Sequence, residues 1–337
     1  MRILVTGGGG FLGRTLVGEL RKHGHAVRTF SRNAPCPFPV LADAPPVETI
    51  LGDIADANAV LRACAGMDAV IHTAAKAGIW GARAEFHRVN VVGTLNVIGG
   101  CRGAGVAFLV HTSTPSVTHT GGPLRGVDEA QPLVRRCHCP YPESKAEAER
   151  RVLEADGPAL RTIALRPHLI WGAGDPHLVP RVIQRARAGK LRIVGDGANR
   201  VDLTHVGNAA LAHRLALEAL AGLGPCPANA VAGRAFFVSD GAPVRLWDWI
   251  NDLLARLGLP RVTRRVPLGA ARLSGALCEI FWKCLPLAGE PPMTRFIATE
   301  LACDHWFDIS AARHALGYVP SRDLGAALDR LVESLRA

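Results

Sequence analysis

The stretch Met1-Arg-Ile-Leu-Val-Thr-Gly-Gly-Gly-Gly-Phe-Leu-Gly13 decides the fold class. Ile3, Leu4 and Val5 form a short apolar run of the kind a buried parallel strand requires. Glycines follow at once, and then Phe11, Leu12, Leu16, Val17 and Leu20 repeat at helical spacing. In that strand–turn–helix context, Gly7, Gly10 and Gly13 have the spacing of a turn that brings backbone against a pyrophosphate. The N–H groups of Phe11, Leu12 and Gly13, unpaired at a helix start, supply hydrogen bonds and partial positive charge to it. A dinucleotide-binding, Rossmann-type doubly wound parallel α/β sheet is therefore expected.

Working outward, Ala26 to Phe30 reads as the second strand and ends on Ser31-Arg32. An acidic residue at that place selects the free ribose 2′-hydroxyl of NAD; here a hydroxyl and a guanidinium suit a 2′-phosphate. The expected cofactor is NADP(H). Asn33 to Pro46 is a proline-rich loop. Thr49 to Ile54 is read as a third strand, with Asp53 an acceptor for the adenine amino group or the N-cap of a helix from about Ala55. Asp68 to His72 is a fourth strand, with His72 a packed residue and Ala74, Ala75 and Lys76 facing the nicotinamide side. Asn90 is expected to open a helix that runs to about Gly103. Ala107 to His111 is a fifth strand running into Thr112-Ser-Thr-Pro115, and Leu160 to Leu165 a sixth, ending in Arg166-Pro167.

Between the fifth and sixth strands lies Pro140-Tyr-Pro-Glu-Ser-Lys145, the start of a helical segment. Tyr141 and Lys145 are four apart and so share one helical face. The chain has only two tyrosines, which makes the pairing pointed. Beyond Asp175 the alternation weakens. The expected division is a dinucleotide-binding domain over 1–175, with 195–240 contributing to it, and a mainly substrate-binding, mostly helical lobe over 176–337.

Bulk properties exclude several classes. The net charge of +10 comes from scattered arginines not interleaved with aromatics, so nucleic-acid binding is not expected. The nine cysteines include no CxxC pair, which argues against a disulfide framework or structural zinc; Cys137-His-Cys139 is read as a loop, and no metal is expected. A strand beginning at residue 2 leaves no room for a secretory signal, and a cytoplasmic protein is expected. Leu268 to Leu287 is apolar, but Arg272, Glu279, Lys283 and Pro286 interrupt it. That pattern reads as a buried amphipathic helix in preference to membrane contact, with no transmembrane segment.

These motifs occur in the order of one family. Thr6-Gly-Gly-Gly-Gly-Phe-Leu-Gly13, Gly52-Asp53-Ile54, His72-Thr-Ala-Ala75, Asn90-Val-Val-Gly-Thr94, Tyr141-x-x-x-Lys145 and Leu165-Arg-Pro167 resemble the extended short-chain dehydrogenase/reductases, in the branch similar to 3β-hydroxysteroid dehydrogenases. Leu203-Thr-His-Val206 and Ala315-Leu-Gly-Tyr-Val-Pro320 extend the resemblance through the C-terminal half. Within the branch, Ala74 to Gly81, Thr112 to His119 and Gly289 to Phe296 resemble the bacterial 2-alkyl-3-oxoalkanoate reductases of long-chain olefin biosynthesis.

The resemblance implies an NADPH-dependent reduction of the 3-keto group of a hydrophobic β-keto acid. Tyr141 would be the proton donor, its pKa lowered by Lys145, with Thr114 (or, more weakly, Ser113) holding the keto oxygen. Pro167 and Ile170 would line the cofactor, Lys145 would hold the nicotinamide ribose, and Asn90 a water. A homodimer, and assembly with other enzymes of such a pathway, are also implied. The alternatives are a steroid or sterol dehydrogenase, a nucleotide-sugar epimerase or dehydratase, and an NADP-sensing regulator without turnover. Two departures stand out: Thr114 replaces the usual serine, and Gly207 replaces an acidic residue before Asn208.

Overall fold

The computed structural model describes residues 1–40, 44–285, 287, 289–321 and 323–336. Positions 41–43 of the proline-rich loop and Pro286 lie outside the described residues.

The opening stretch folds as its pattern requires. Strand β1 (Arg2–Thr6) is buried from Ile3 onward, and helix α1 (Phe11–Lys22) turns Leu16, Val17 and Leu20 inward. Strands β2 (Ala26–Ser31), β3 (Glu48–Leu51), β4 (Ala69–His72), β5 (Phe108–Thr112), β6 (Arg161–Pro167) and β7 (Arg234–Val238) complete a seven-stranded sheet of order β7-β6-β5-β4-β1-β2-β3. Every neighbouring pair is parallel. The order reverses between β1 and β4, the switch point at which this architecture binds ligands. Helices α2 (Ala57–Cys64), α3 (Gly93–Ala104) and α4 (Pro140–Glu154) cover one face. Helices α1 and α5 (Val206–Leu220) pack together on the other. The sheet is thus buried on both sides, which is why its strands read as continuous apolar runs.

Strand β7, helix α5 and the buried Tyr318 show that the chain returns to this sheet late in the sequence. A second apolar core gathers Trp171, Val179, Trp247, Leu253, Ala298 and Leu331. Between the two runs a small sheet of Val244–Arg245, Arg200–Val201, His305–Phe307 and Leu124–Val127. The C-terminal part is helical but carries these short strands as well.

Several expectations are corrected. The third strand stops at Leu51, so Asp53 sits in the following turn, where its Oδ1 accepts from Ala55 N at 2.9 Å. The N-cap of α2 is Asp56, which accepts from the N–H groups of Asn58 and Ala59. Asn90 does not open its helix. Helix Arg83–Phe86 precedes it, and Asn90 lies in a π-helical turn, His87–Val92, before α3. A widened turn breaks the 3.6-residue period, so the apolar pattern did not reveal the earlier start.

The helix Leu268–Cys284 is not buried. Only Ala271, Gly275 and Glu279 of it are buried, and Leu273, Leu277, Ile280 and Phe281 face outward. The inward face is set by close approach, since a Cβ on Gly275 would lie 2.6 Å from the Thr294 carbonyl carbon. Glu279 turns inward with it because Arg295 binds its carboxylate at 2.6 Å. No helix among the described residues is long and apolar enough to cross a membrane.

Candidate active site

At the carboxyl edge of β1, Gly7 takes φ +71°, and its N–H bonds the Phe30 carbonyl at 2.8 Å. A Cβ there would meet the Ala74 backbone at 2.9 Å, and one on Gly13 would lie 2.2 Å from the Gly7 carbonyl oxygen. These two glycines fit the turn into the fold. Gly10 differs: a Cβ on it would touch only the Gly7 carbonyl oxygen, at 3.2 Å. The surface over the start of α1 is therefore open. That helix has no side-chain cap and no acidic residue in its first turn, so the orphan N–H groups of Phe11, Leu12 and Gly13 suit a pyrophosphate. Residues and cradle fit a dinucleotide.

The β2 end brings Ser31, Arg32 and Asp53 together. The Ser31 hydroxyl donates to the Asn33 carbonyl at 2.8 Å, and Arg32 is exposed. Asp53 is held below the usual carboxylate range by the Ala55 N–H and by Arg88, whose Nη1 donates to Oδ2 at 2.8 Å, with Arg32 adding to the field. Arg88 escaped the sequence reading; its position two residues before Asn90 was the only signal. Ile54 is buried and close-packed on Gly93.

On the nicotinamide side, Ala74 receives the Thr6 hydroxyl at its N–H, 3.3 Å away. Lys76 pairs with Glu85 at 3.1 Å. Asn90 is buried and spans three partners. Its Oδ1 accepts from Lys76 N at 2.7 Å, and its Nδ2 donates to the Lys76 carbonyl at 3.2 Å and to the Ser144 hydroxyl at 3.0 Å. The side chain thereby clips the 76–81 loop to α4. His72 is a packed residue as expected, bonded to Thr6 Oγ1 at 2.7 Å and Thr94 Oγ1 at 3.0 Å. Pro167 ends β6, and Ile170 starts a short strand beside Thr204–His205. Between them Leu169 has φ +40°, the one non-glycine residue in the left-handed region among those described.

Tyr141 and Lys145 stand on the inward face of α4 over the end of β5. Burial pushes the Tyr141 phenol up to about 12, against the pull of the Thr114 hydroxyl beside it. The expectation of a phenol lowered by Lys145 is corrected. Burial brings Lys145 itself down to about 8, with Glu149 opposing, and its Nζ is turned to the Thr112 carbonyl at 2.7 Å and His111 Nε2 at 3.3 Å. Thr114 also caps the short helix Pro115–Thr118, accepting from Ser116 N at 3.3 Å. The Ser113 hydroxyl is buried with no partner among the described residues.

A buried ion pair ties α4 to β6. Arg166, named above only as part of a motif, binds Glu149 with Nη2 at 2.6 Å and Nε at 3.1 and 3.2 Å, both side chains being almost fully enclosed. Glu149 follows Lys145 by four residues on the same face, which is the signal that could have found it. A cavity of about 690 Å³ lies on another face of α4, lined by Arg83, His87, Glu143 and Arg150, and does not reach the Tyr141 side.

The C-terminal part meets the segment after β5 at a cluster of titratable groups. His119 approaches Glu300 at 3.4 Å, and His305 lies 3.8 Å from the same carboxylate. Burial works against the Glu300 carboxylate, yet His305 and His119 hold it down at about 2. Asn208 donates to Asp240 at 2.6 Å, so this asparagine has a carboxylate partner although Gly207 precedes it.

Comparison with known proteins accords with this arrangement. A profile of the 3-beta hydroxysteroid dehydrogenase/isomerase family matches residues 4–268. A 2-alkyl-3-oxoalkanoate reductase of Stenotrophomonas maltophilia is 49% identical, with all of both chains covered. A protein of the same name from Shewanella oneidensis is 42% identical, over 98% of this chain and 85% of its own. Among solved structures, a double mutant of the dTDP-glucose 4,6-dehydratase of Streptomyces venezuelae with NAD bound superposes with a TM-score of 0.75 at 25% identity, covering 100% of this chain and 97% of that one. The chain belongs to the 3-beta hydroxysteroid dehydrogenase/isomerase family and is an NAD(P)-dependent oxidoreductase.

Proposed function

We propose that this protein reduces the 3-keto group of a hydrophobic 2-alkyl-3-oxoalkanoate to the hydroxyl, with NADPH as reductant, in the formation of long-chain olefins. The observation that carries the reading is the convergence of Thr114 and Tyr141 at the end of β5, in a chain 49% identical along its whole length to a reductase of that name.

Gly7, Gly10, Phe11, Leu12 and Gly13 would hold the pyrophosphate, Ser31 and Arg32 the 2′-phosphate, and Asp53 and Ile54 the adenine. Ala74, Ala75, Lys76, Asn90, Pro167 and Ile170 would line the nicotinamide side, and Tyr141 with Lys145 the adjoining ribose. Bound NADPH supplies the hydride that the keto carbon receives. Tyr141 gives its proton to the keto oxygen, and Thr114 holds that oxygen by a hydrogen bond. A phenol at about 12 stays protonated at any working pH, as a donor must. Lys145 would act through the adjoining ribose, which its charge helps to hold.

A panel of 3-keto acids, steroids and sugar nucleotides, followed by NADPH absorbance, tests the proposal. Turnover confined to steroids or sugar nucleotides would overturn it. Three further outcomes are expected. Arg32→Asp shifts preference toward NADH by about tenfold or more, the worth of a charge-assisted contact; an unmoved ratio of kcat/KM values would refute the assigned 2′-phosphate site. Thr114→Val lowers kcat by about a hundredfold, whereas Thr114→Ser, which keeps both the hydroxyl and the cap, stays near wild type. The reduction rate is level below and falls as the pH rises through about 8, where Lys145 loses its charge. A profile flat through that range would separate Lys145 from the chemistry.

A further inference from the structure

We infer that helix 268–284, with Leu285 and Leu287 after it, forms a docking face for an anionic lipid bilayer, close to the loops that border the candidate active site. Of the thirteen exposed large apolar residues among those described, six lie between Leu273 and Leu287. Leu273 is 64% exposed, Ile280 57% and Phe281 56%, and Leu277 lies between them on the same side of the helix. The others, such as Leu223 and Val319, are scattered singly, as on any soluble protein. A continuous apolar face along a helix of about 25 Å is not an ordinary surface.

Charge decides what covers it. The helix has one carboxylate, Glu279, and that is turned inward onto Arg295. Lys283 is exposed on the helix, and Arg261, Arg264 and Arg265 are exposed just before it. None of these four cations pairs with a carboxylate among the described residues. The nearest exposed carboxylate along the chain, Glu290, is taken by Arg181 at 2.5 Å. Outward leucine, isoleucine and phenylalanine on a helix with no outward carboxylate, with Lys283 on it and three exposed arginines just before it in the chain, is the composition of an interfacial helix attracted to anionic headgroups.

The face also borders the site. Arg272, on the same helix, donates to the Gly121 carbonyl at 3.1 Å, two residues beyond His119. A Cβ on Gly78 would lie 3.0 Å from Glu290 Oε1, so the segment after the helix reaches the 76–81 loop. A bilayer held there lies beside these loops, where a long-chain ligand can pass between bilayer and site with little exposure to water.

Flotation of the full chain with vesicles tests this without any need for turnover. Wild type is expected to float with vesicles of phosphatidylglycerol and phosphatidylcholine, and much less with phosphatidylcholine alone. The pair Leu277→Ser and Phe281→Ser should cut binding at least tenfold, because each large side chain withdrawn from water contributes about that factor or more. Arg264→Glu with Arg265→Glu should weaken it as well, and Leu223→Ser should leave it unchanged. Unaltered thermal melting of the variants secures the comparison. Failure of wild type to float, undiminished flotation of the serine pair, or conversion of an oligomer to monomers by that pair on size-exclusion chromatography would each overturn the proposal.

Discussion

Tyr141→Phe is expected to lower kcat by about three orders of magnitude while leaving NADPH binding close to wild type. The substitution removes one oxygen and little volume, so α4 keeps its packing. What is lost is the proton that must reach the keto oxygen as the carbon takes up hydride. No substitute stands ready: among the neighbouring groups, Thr114 offers a hydroxyl with a far higher pKa, and Lys145 is turned to the Thr112 carbonyl. Single-turnover kinetics and cofactor titration separate the two effects. A variant that binds NADPH normally and still reduces substrate at more than a tenth of the wild-type rate would remove Tyr141 from the catalytic role.

Glu149→Ala is expected to destabilise the fold by about 3–5 kcal/mol and to disturb the site at a distance. The cost is not the value of the ion pair itself. It arises because Arg166 keeps its charge in a place shut off from water, with its Nη1 already lacking a partner among the described residues and its guanidinium lying 5.0 Å over the Phe237 ring. Two measurements distinguish a positioning role from a merely structural one. Thermal melting should fall by several degrees. The midpoint of the pH–rate profile should also drop below about 8, because Glu149 is the charge that raises the Lys145 pKa against burial. Glu149→Leu combined with Arg166→Leu removes both charges and should recover much of the stability without restoring the pH midpoint. Recovery of both would show that Glu149 acts on packing alone.

Much of the cofactor side was legible because its signals are local. Gly13 is dictated by atoms a few residues away, Gly7 by the left-handed φ of its own turn, and the four-residue spacing of Tyr141 and Lys145 survives any packing of the helix. Element edges were less legible. Asp53 and Asp56 offer the same capping chemistry three residues apart, and only the path of the backbone decides that Asp56 closes α2. The π-helical turn at Asn90 has no periodic signature at all.

The sequence by itself determined the parallel sheet, the glycine turn, the absence of an acidic selector beside Arg32, and the shared face of Tyr141 and Lys145. These depend on residue type and on spacing within one element. The tertiary structure alone decided which way each charge leans. It set the Tyr141 phenol high by burial, turned Lys145 onto the end of β5, and enclosed Arg166 with Glu149. It also exposed the helix whose apolar pattern had suggested a core. Burial and long-range pairing are made between segments far apart in the chain, and the apolar pattern of a single helix does not itself say which side is inward.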